Sequence, residues 1–140
     1  MKFDVLIVGA GLAGAALAAA LRGSTLKVGI VETRPPARPD GWDARIYAIS
    51  PTNVDFLSAI GIWQHLDPAR MAPVYDMEIH GDAGGRLDFS AYDSGLRELA
   101  WIVESSLMQL ELWETVKRQH NVTLICPASP AALAIDDTAA

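Results

Sequence analysis

The run "VLIVGAGLAGAALAAAL", from Val5 to Leu21, has no charged or hydrogen-bonding side chain. Such a run can be a membrane span, a secretion signal or a buried part of a folded domain. A spanning helix needs about 20 apolar residues, whereas this run is shorter, is interrupted by Gly9, Gly11 and Gly14, and continues mostly in alanine. Lys2, the apolar middle and Ala18 to Ala20 imitate a signal peptide, but Asp4 spoils the positive start. Each glycine would also weaken a helical middle by about 1 kcal/mol relative to alanine. The buried reading is favoured, and no transmembrane segment is expected.

Split at Gly9, the run becomes two elements. Phe3 to Val8 is β-branched and aliphatic without alternation, as expected of a strand covered on both faces of a parallel sheet. Ala10 to Leu21 is rich in helix formers. The join, "GAGLAG" (Gly9, Ala10, Gly11, Leu12, Ala13, Gly14), has the G-x-G-x-x-G spacing. In that spacing the first glycine turns the chain out of the strand, the second lets a pyrophosphate approach the backbone, and the third lets helix and strand pack closely. The anion then meets the free N–H groups and the positive dipole end of the helix.

A lone glycine motif is weak, so the next strand must supply a partner. "LKVGIVE" reads as that strand, and Glu32 closes it at about the spacing expected of an acid that accepts hydrogen bonds from ribose hydroxyls. A carboxylate there would repel a 2′-phosphate. NADP is therefore disfavoured at this site, while FAD and NAD remain open.

Downstream, Thr33 to Asp43 is a Pro- and Arg-rich loop. Ser50 and Pro51 open a helix carrying Val54, Leu57 and Ile60 and ended by Gly61. Arg45, just before it, reads equally as a surface charge or as a counterion for a diphosphate. Tyr75, Met77 and Ile79, then Leu87, Phe89 and Ala91, alternate with polar residues around "GDAGG". That pattern predicts a β-hairpin over about 74–92 with one buried and one wet face, and His80 on the wet one. "AWIV" is a short strand, Ser105 or Ser106 caps a helix running to about His120, with Met108, Leu112 and Val116 in its core, and "NVTLICPA" is a further strand.

Composition narrows the function classes. With 140 residues, one ordinary domain is expected. Eleven basic against 17 acidic side chains, a net charge of -6, argue against nucleic acid. Cys126 is the only cysteine, and His65, His80 and His120 stand far apart, so no metal site is expected. There is no nucleophile elbow, catalytic carboxylate pair or P-loop lysine, and no catalytic residue is assigned.

At "DARIYAISPTNVDFLSAIGIW" and "LAWIVESSLMQLELW" the chain resembles the FAD-dependent aromatic hydroxylases, most closely their ubiquinone-biosynthesis, VisC-like branch. The resemblance runs from Phe3 to about Ala128. It implies an α/β fold: a Rossmann-like FAD-binding βαβ unit with an inserted hairpin, incomplete relative to the whole family fold, so that 1–140 is the N-terminal part of a single FAD-binding domain. It also implies that Gly9, Ala10, Gly11, Leu12, Ala13, Gly14 and Glu32 hold the ADP half of FAD, that Arg45 meets its phosphate and ribose region, and that Gln109 contacts the cofactor. The implied chemistry is reduction of FAD by NADPH or NADH and transfer of one oxygen atom to an aromatic ring, with a polyprenyl phenol as substrate. A cytoplasmic protein, peripheral to the inner membrane, is expected, with self-association or a peripheral membrane complex as its partners; in the non-catalytic reading below, self-association would cover the exposed apolar edges. Family members run to nearly three times this length and carry an Asp-Gly and a Gly-Asp motif further along their chains; no Gly-Asp pair follows residue 100 here, and Gly81-Asp82 falls in the hairpin turn. Hydroxylation is thus expected of the full-length protein and not of these residues alone. Two other readings stay open: an NAD-binding half-domain of a dehydrogenase, and a non-catalytic remnant that keeps the glycine loop for packing.

Overall fold

The computed structural model describes residues 1–135. The chain divides into two compact units, one of Met1–Ala37 with the chain from Gln109 onward, the other Arg38–Met108.

The first unit is built on a parallel sheet. Val5–Val8 (β1), Val28–Val31 (β2) and Val122–Ile125 (β8) pair in the order β1-β2-β8, with Val5 opposite Val28 and Val28 opposite Val122. Leu12–Ala20 (α1) crosses from β1 to β2. The central strand is the buried one, Val28 and Ile30 being inaccessible, and Ala15, Ala18 and Ala19 of α1 are buried as well. Small side chains let a helix lie close on a sheet.

The expectation that β1 is covered on both faces is corrected. Only Ile7 is buried in it, while Leu6 is 54% and Val8 63% exposed. Successive residues of a strand point to opposite faces, and within this unit only one face of β1 is covered. The C-terminal end of α1 is tied down from far along the chain. Gln119 Nε2 donates to the Ala19 carbonyl (3.3 Å), and Asn121 Nδ2 donates to those of Leu21 (3.0 Å) and Leu26 (3.2 Å). Gln119 thus helps satisfy a carbonyl of the last turn of α1, while Asn121 ties the residue after the helix to the turn that leads into β2.

The second unit holds an antiparallel sheet, Ile46–Ile49 (β3), Met71–Val74 (β4) and Ala100–Glu104 (β7) in the order β3-β7-β4. Neither β3 nor β4 was expected. β3 is four residues wedged between a loop and a helix, and β4 contains Pro73. Proline is tolerated at an edge because its missing N–H can face away from the ladder. Pro51–Ala59 (α2) begins with proline and ends at Gly61, whose φ is +81°. Its expected Ser50 cap is corrected: the hydroxyl accepts from Asn53 Nδ2 (3.2 Å) and caps no helical N–H. Val103, Ile62, Leu66, Leu57 and Met108 form the core, beside an edge-to-face pair of Trp63 and Trp101 with ring centres 5.9 Å apart.

Asp76–His80 (β5) and Arg86–Ser90 (β6) make the hairpin, with His80 opposite Arg86. Its expected buried face is corrected: Met77, Ile79, Leu87 and Phe89 are 37%, 46%, 59% and 48% exposed. A two-stranded ribbon has no second layer of its own to cover an alternating face. Changing Leu87 and Phe89 together to lysine is therefore expected to shift urea-unfolding stability by no more than about 0.5 kcal/mol per site, while raising solubility.

Ser105–Lys117 (α3) begins in the second unit and continues into the first. Among the described residues, no helix is long and apolar enough to cross a membrane. Nor does any group of three or more His, Cys, Asp or Glu side chains there have the arrangement to hold a metal ion.

Candidate functional site

In the first unit the glycine loop leaves β1 at Gly9, whose φ of +97° is a conformation that L side chains rarely adopt. Gly14 lies so close to it that an added Cβ would stand 2.2 Å from the Gly9 carbonyl oxygen and 3.0 Å from Ile7 Cγ2. Around Gly11, by contrast, an added Cβ would meet nothing within 4 Å. Gly11 is the N-cap of α1, and no side chain caps that end or brings an acid into its first turn. The N–H groups of Leu12, Ala13 and Gly14 have no intrahelical acceptor, as in any first helical turn. The end of α1 is thus open and uncapped, an arrangement whose free N–H groups suit an anion.

Glu32 follows β2 and reaches back to this loop. Its Oε2 accepts the Ala10 N–H at 2.7 Å. Its Oε1 accepts the Thr33 N–H (2.7 Å), the Thr33 hydroxyl (2.9 Å) and the Arg34 N–H (3.3 Å). The Ala10 N–H above all, helped by Thr33 and Arg34 and opposed by burial, holds the carboxyl below its ordinary range. Oε1 is crowded, while Oε2 keeps room for one more donor, such as a ribose hydroxyl.

From α3, Gln109 Nε2 approaches the Ala10 carbonyl at 3.4 Å. The Ala10 peptide is therefore engaged on both sides, by Glu32 and Gln109. Both also line an open cleft of about 480 Å³, together with Thr33, Arg34, Pro35, Pro36 and Ala37. Ligand pockets commonly have volumes of about 300–1,000 Å³. The first unit thus gathers Gly9 to Gly14, Glu32 and Gln109.

Arg45 belongs to the second unit. There its N–H donates to Asp43 Oδ1 at 2.9 Å, and its carbonyl accepts the Ser105 N–H at 2.9 Å. The sequence reading missed the polar network around it. Glu104, at 2% exposure, takes Arg70 Nε on Oε1 (2.6 Å), and Arg70 Nη2 (2.5 Å) with the Asp43 N–H (2.6 Å) on Oε2. Arg70 also donates to the Gly41 carbonyl (2.8 Å) and stacks over the Trp42 ring at 4.7 Å. The Arg70 guanidinium holds the Glu104 carboxyl below the ordinary carboxylate range against the cost of burial. The expected Ser105 or Ser106 cap of α3 is corrected, since Asp43 Oδ2 accepts the Ser106 N–H at 3.0 Å and so caps the helix from 63 residues away. An acid closing an apolar strand and an Asp two residues before Arg45 were the available signals.

Comparison with known proteins places this geometry. The chain is 32% identical over 133 residues to the 3-demethoxyubiquinol 3-hydroxylase of Escherichia coli, covering 93% of this chain and 34% of that protein. It is 32% identical over 131 residues to the mitochondrial ubiquinone biosynthesis monooxygenase COQ6 of Drosophila melanogaster, covering 88% of this chain and 28% of the relative. The chain thus spans about a third of the length of these curated relatives. Among solved structures it resembles PqsL, a probable FAD-dependent monooxygenase from Pseudomonas aeruginosa, with a TM-score of 0.61 at 27% identity over 88% of this chain and 32% of the other. The fold also matches an aklavinone-11 hydroxylase solved with FAD and aklavinone, with a TM-score of 0.59 at 20% identity over 89% of this chain and 25% of that one. A family model described as "FAD binding domain" matches residues 2–122, and with the glycine loop, its acid and the parallel sheet in place, the chain belongs to that FAD-binding family.

Proposed function

We propose that this chain supplies the N-terminal part of a single FAD-binding domain in a monooxygenase that hydroxylates an aromatic ring, with a polyprenyl phenol of ubiquinone biosynthesis as substrate. The observation that carries the reading is the uncapped, open end of α1 at Gly11, with Glu32 bonded to the same loop. Its donors suit a diphosphate and its acid suits an unphosphorylated ribose. The residues present fit the ADP half of FAD. Gly9, Ala10, Gly11, Leu12, Ala13 and Gly14 would seat the phosphates on backbone N–H groups, Glu32 would take a ribose hydroxyl, Gln109 would steady the loop and border the cofactor, and Arg45 would neutralise phosphate charge. Bound FAD, reduced by NADPH or NADH, would supply the oxygen chemistry, while the protein positions it and excludes water.

The E. coli relative, named as a demethoxyubiquinol hydroxylase, and the Drosophila relative, named for ubiquinone biosynthesis, support the substrate class. A substrate with a polyprenyl tail suits a cytoplasmic protein peripheral to the inner membrane. Self-association or a peripheral complex would then cover the apolar hairpin residues. The dehydrogenase alternative is weaker because an antiparallel sheet, and not a further βαβ unit, follows β2 in the chain.

Titrating the purified chain with FAD and following flavin fluorescence tests the cofactor part. Saturable quenching that ADP reverses is expected, and Glu32→Gln should weaken it about tenfold, the value of one charge-assisted hydrogen bond. Binding of NAD without FAD would overturn the reading. The full reading frame should show phenol-stimulated NAD(P)H oxidation.

A further inference from the structure

Within the first unit, Glu32 makes more contacts than an acceptor for a ribose needs. Its backbone is fixed by β8 and the residues after it: the Glu32 N–H donates to the Ile125 carbonyl (3.0 Å), and the Glu32 carbonyl accepts the Ala128 N–H (2.8 Å). Its side chain is fixed at Oε1 by the Thr33 N–H, the Thr33 hydroxyl and the Arg34 N–H. A carboxylate is planar, so holding Oε1 sets the direction of Oε2, which lies 2.7 Å from the Ala10 nitrogen. Ala10 stands between Gly9 and Gly11, and glycine loses more conformational freedom on ordering than any other residue. Gln109 Nε2 approaches the Ala10 carbonyl at 3.4 Å. Both peptide groups flanking the Ala10 Cα thus have a side-chain partner. A loop already held in its binding shape loses less entropy when a ligand arrives.

We propose that Thr33 is a positioning residue: by holding Oε1 of Glu32 it aims Oε2 at the Ala10 N–H, and so keeps the glycine loop in the shape that binds a diphosphate, with or without a ribose attached. The inference rests on the reading above that this loop seats a diphosphate. It gives Glu32 a task that needs no ribose, and it gives a purpose to a hydroxyl on an exposed residue.

Isothermal titration with inorganic pyrophosphate, beside ADP, isolates this task, because pyrophosphate offers Glu32 no hydroxyl. If Glu32 served only a ribose, removing its negative charge would leave pyrophosphate binding unchanged or tighten it. Glu32→Ala is instead expected to weaken pyrophosphate about tenfold, and Thr33→Val about fivefold, the value of one net hydrogen bond. Thr33→Ser keeps the hydroxyl and should stay within about twofold of the parent. The Thr33→Val, Glu32→Ala double variant should be no worse than Glu32→Ala alone. Amide hydrogen exchange at Ala10 should quicken in Thr33→Val while exchange at Ala18 and Ala19 of α1 stays at the parent rate, which a general loosening of the fold would not produce.

Unchanged pyrophosphate affinity in Thr33→Val, a loss in Thr33→Ser as large as in Thr33→Val, or additive losses in the double variant would overturn the positioning role while leaving the diphosphate reading intact. So would ADP binding by the parent without any pyrophosphate binding, since a loop held in shape should take the anion alone. If Glu32→Ala fails to fold, the contrast between Thr33→Val and Thr33→Ser decides the matter by itself. A parent chain that binds neither pyrophosphate nor ADP overturns the diphosphate reading first, and this inference with it.

Discussion

Gly14→Ala is expected to cost about 3 kcal/mol in urea unfolding, towards the upper end of what overpacking costs. The new Cβ would stand 2.2 Å from the Gly9 carbonyl oxygen, a backbone atom that cannot rotate away, with Ile7 Cγ2 behind it at 3.0 Å. Either α1 lifts from β1 or the turn at Gly9 moves, and both displace the open end of α1. ADP binding should therefore disappear together with the stability.

Gly11→Ala is the matching control. Its backbone, at φ −68° and ψ −177°, is open to any residue, and an added Cβ touches nothing within 4 Å. Stability should stay within about 0.5 kcal/mol of the parent. ADP affinity should nevertheless fall at least about tenfold, because the methyl group occupies the space through which the phosphate approaches. Unfolding and calorimetric titration of the two variants side by side thus separate a glycine needed for packing from one needed for a ligand. Equal ADP affinity in Gly11→Ala and the parent would sink the phosphate-seat reading.

The second large effect is expected at Glu104. Glu104→Ala should cost about 3 kcal/mol, the lower end of what breaking a buried pair costs. Arg70 can still turn towards water, whereas the part-buried Asp43 N–H loses its acceptor. The pH dependence follows from the direction of the shift. Arg70 lowers the Glu104 carboxyl in the folded state, so the charged form contributes stability above the unfolded value of about 4.3. That contribution is lost as pH falls through the lower folded value. The gap in unfolding free energy between the parent and Glu104→Gln, which cannot ionise, should be widest near about pH 7 and shrink towards about pH 3. A gap that stays constant over that range would mean that the guanidinium–carboxylate attraction is not what holds Asp43.

Where an element depends on residues near it in the chain, the sequence predicted it well. The strand, glycine turn and helix from Val5 to Ala20, the strand before Glu32, the helix ended by Gly61, and the hairpin register around Gly81 to Gly85 all appear where their local chemistry puts them. Each rests on side-chain periodicity or on the conformational freedom of one glycine. β3 and β4 were not legible, being four residues each, one of them containing proline. Their pairing with β7 satisfies ladder hydrogen bonds that no local pattern announces.

The same division runs through the candidate site. Gly9, Gly11, Gly14 and Glu32 could be named from spacing because a phosphate loop and its acid lie within one βαβ unit. That Glu32 also bonds the Ala10 N–H, that Gln109 reaches the Ala10 carbonyl from 99 residues away, and that Asp43 rather than a serine caps α3 came only with the tertiary structure. So did the exposure of Leu6, Val8 and the hairpin's apolar residues. Alternation tells which side chains share a face, but not whether another layer lies over it. By itself the sequence determined the glycine turn and the acid that closes the next strand, since those reside in backbone freedom and one nearby charge. Tertiary structure decided which distant polar groups hold that turn and the Arg45 backbone in place, because a hydrogen bond depends on distance in space, and chain separation carries no record of it.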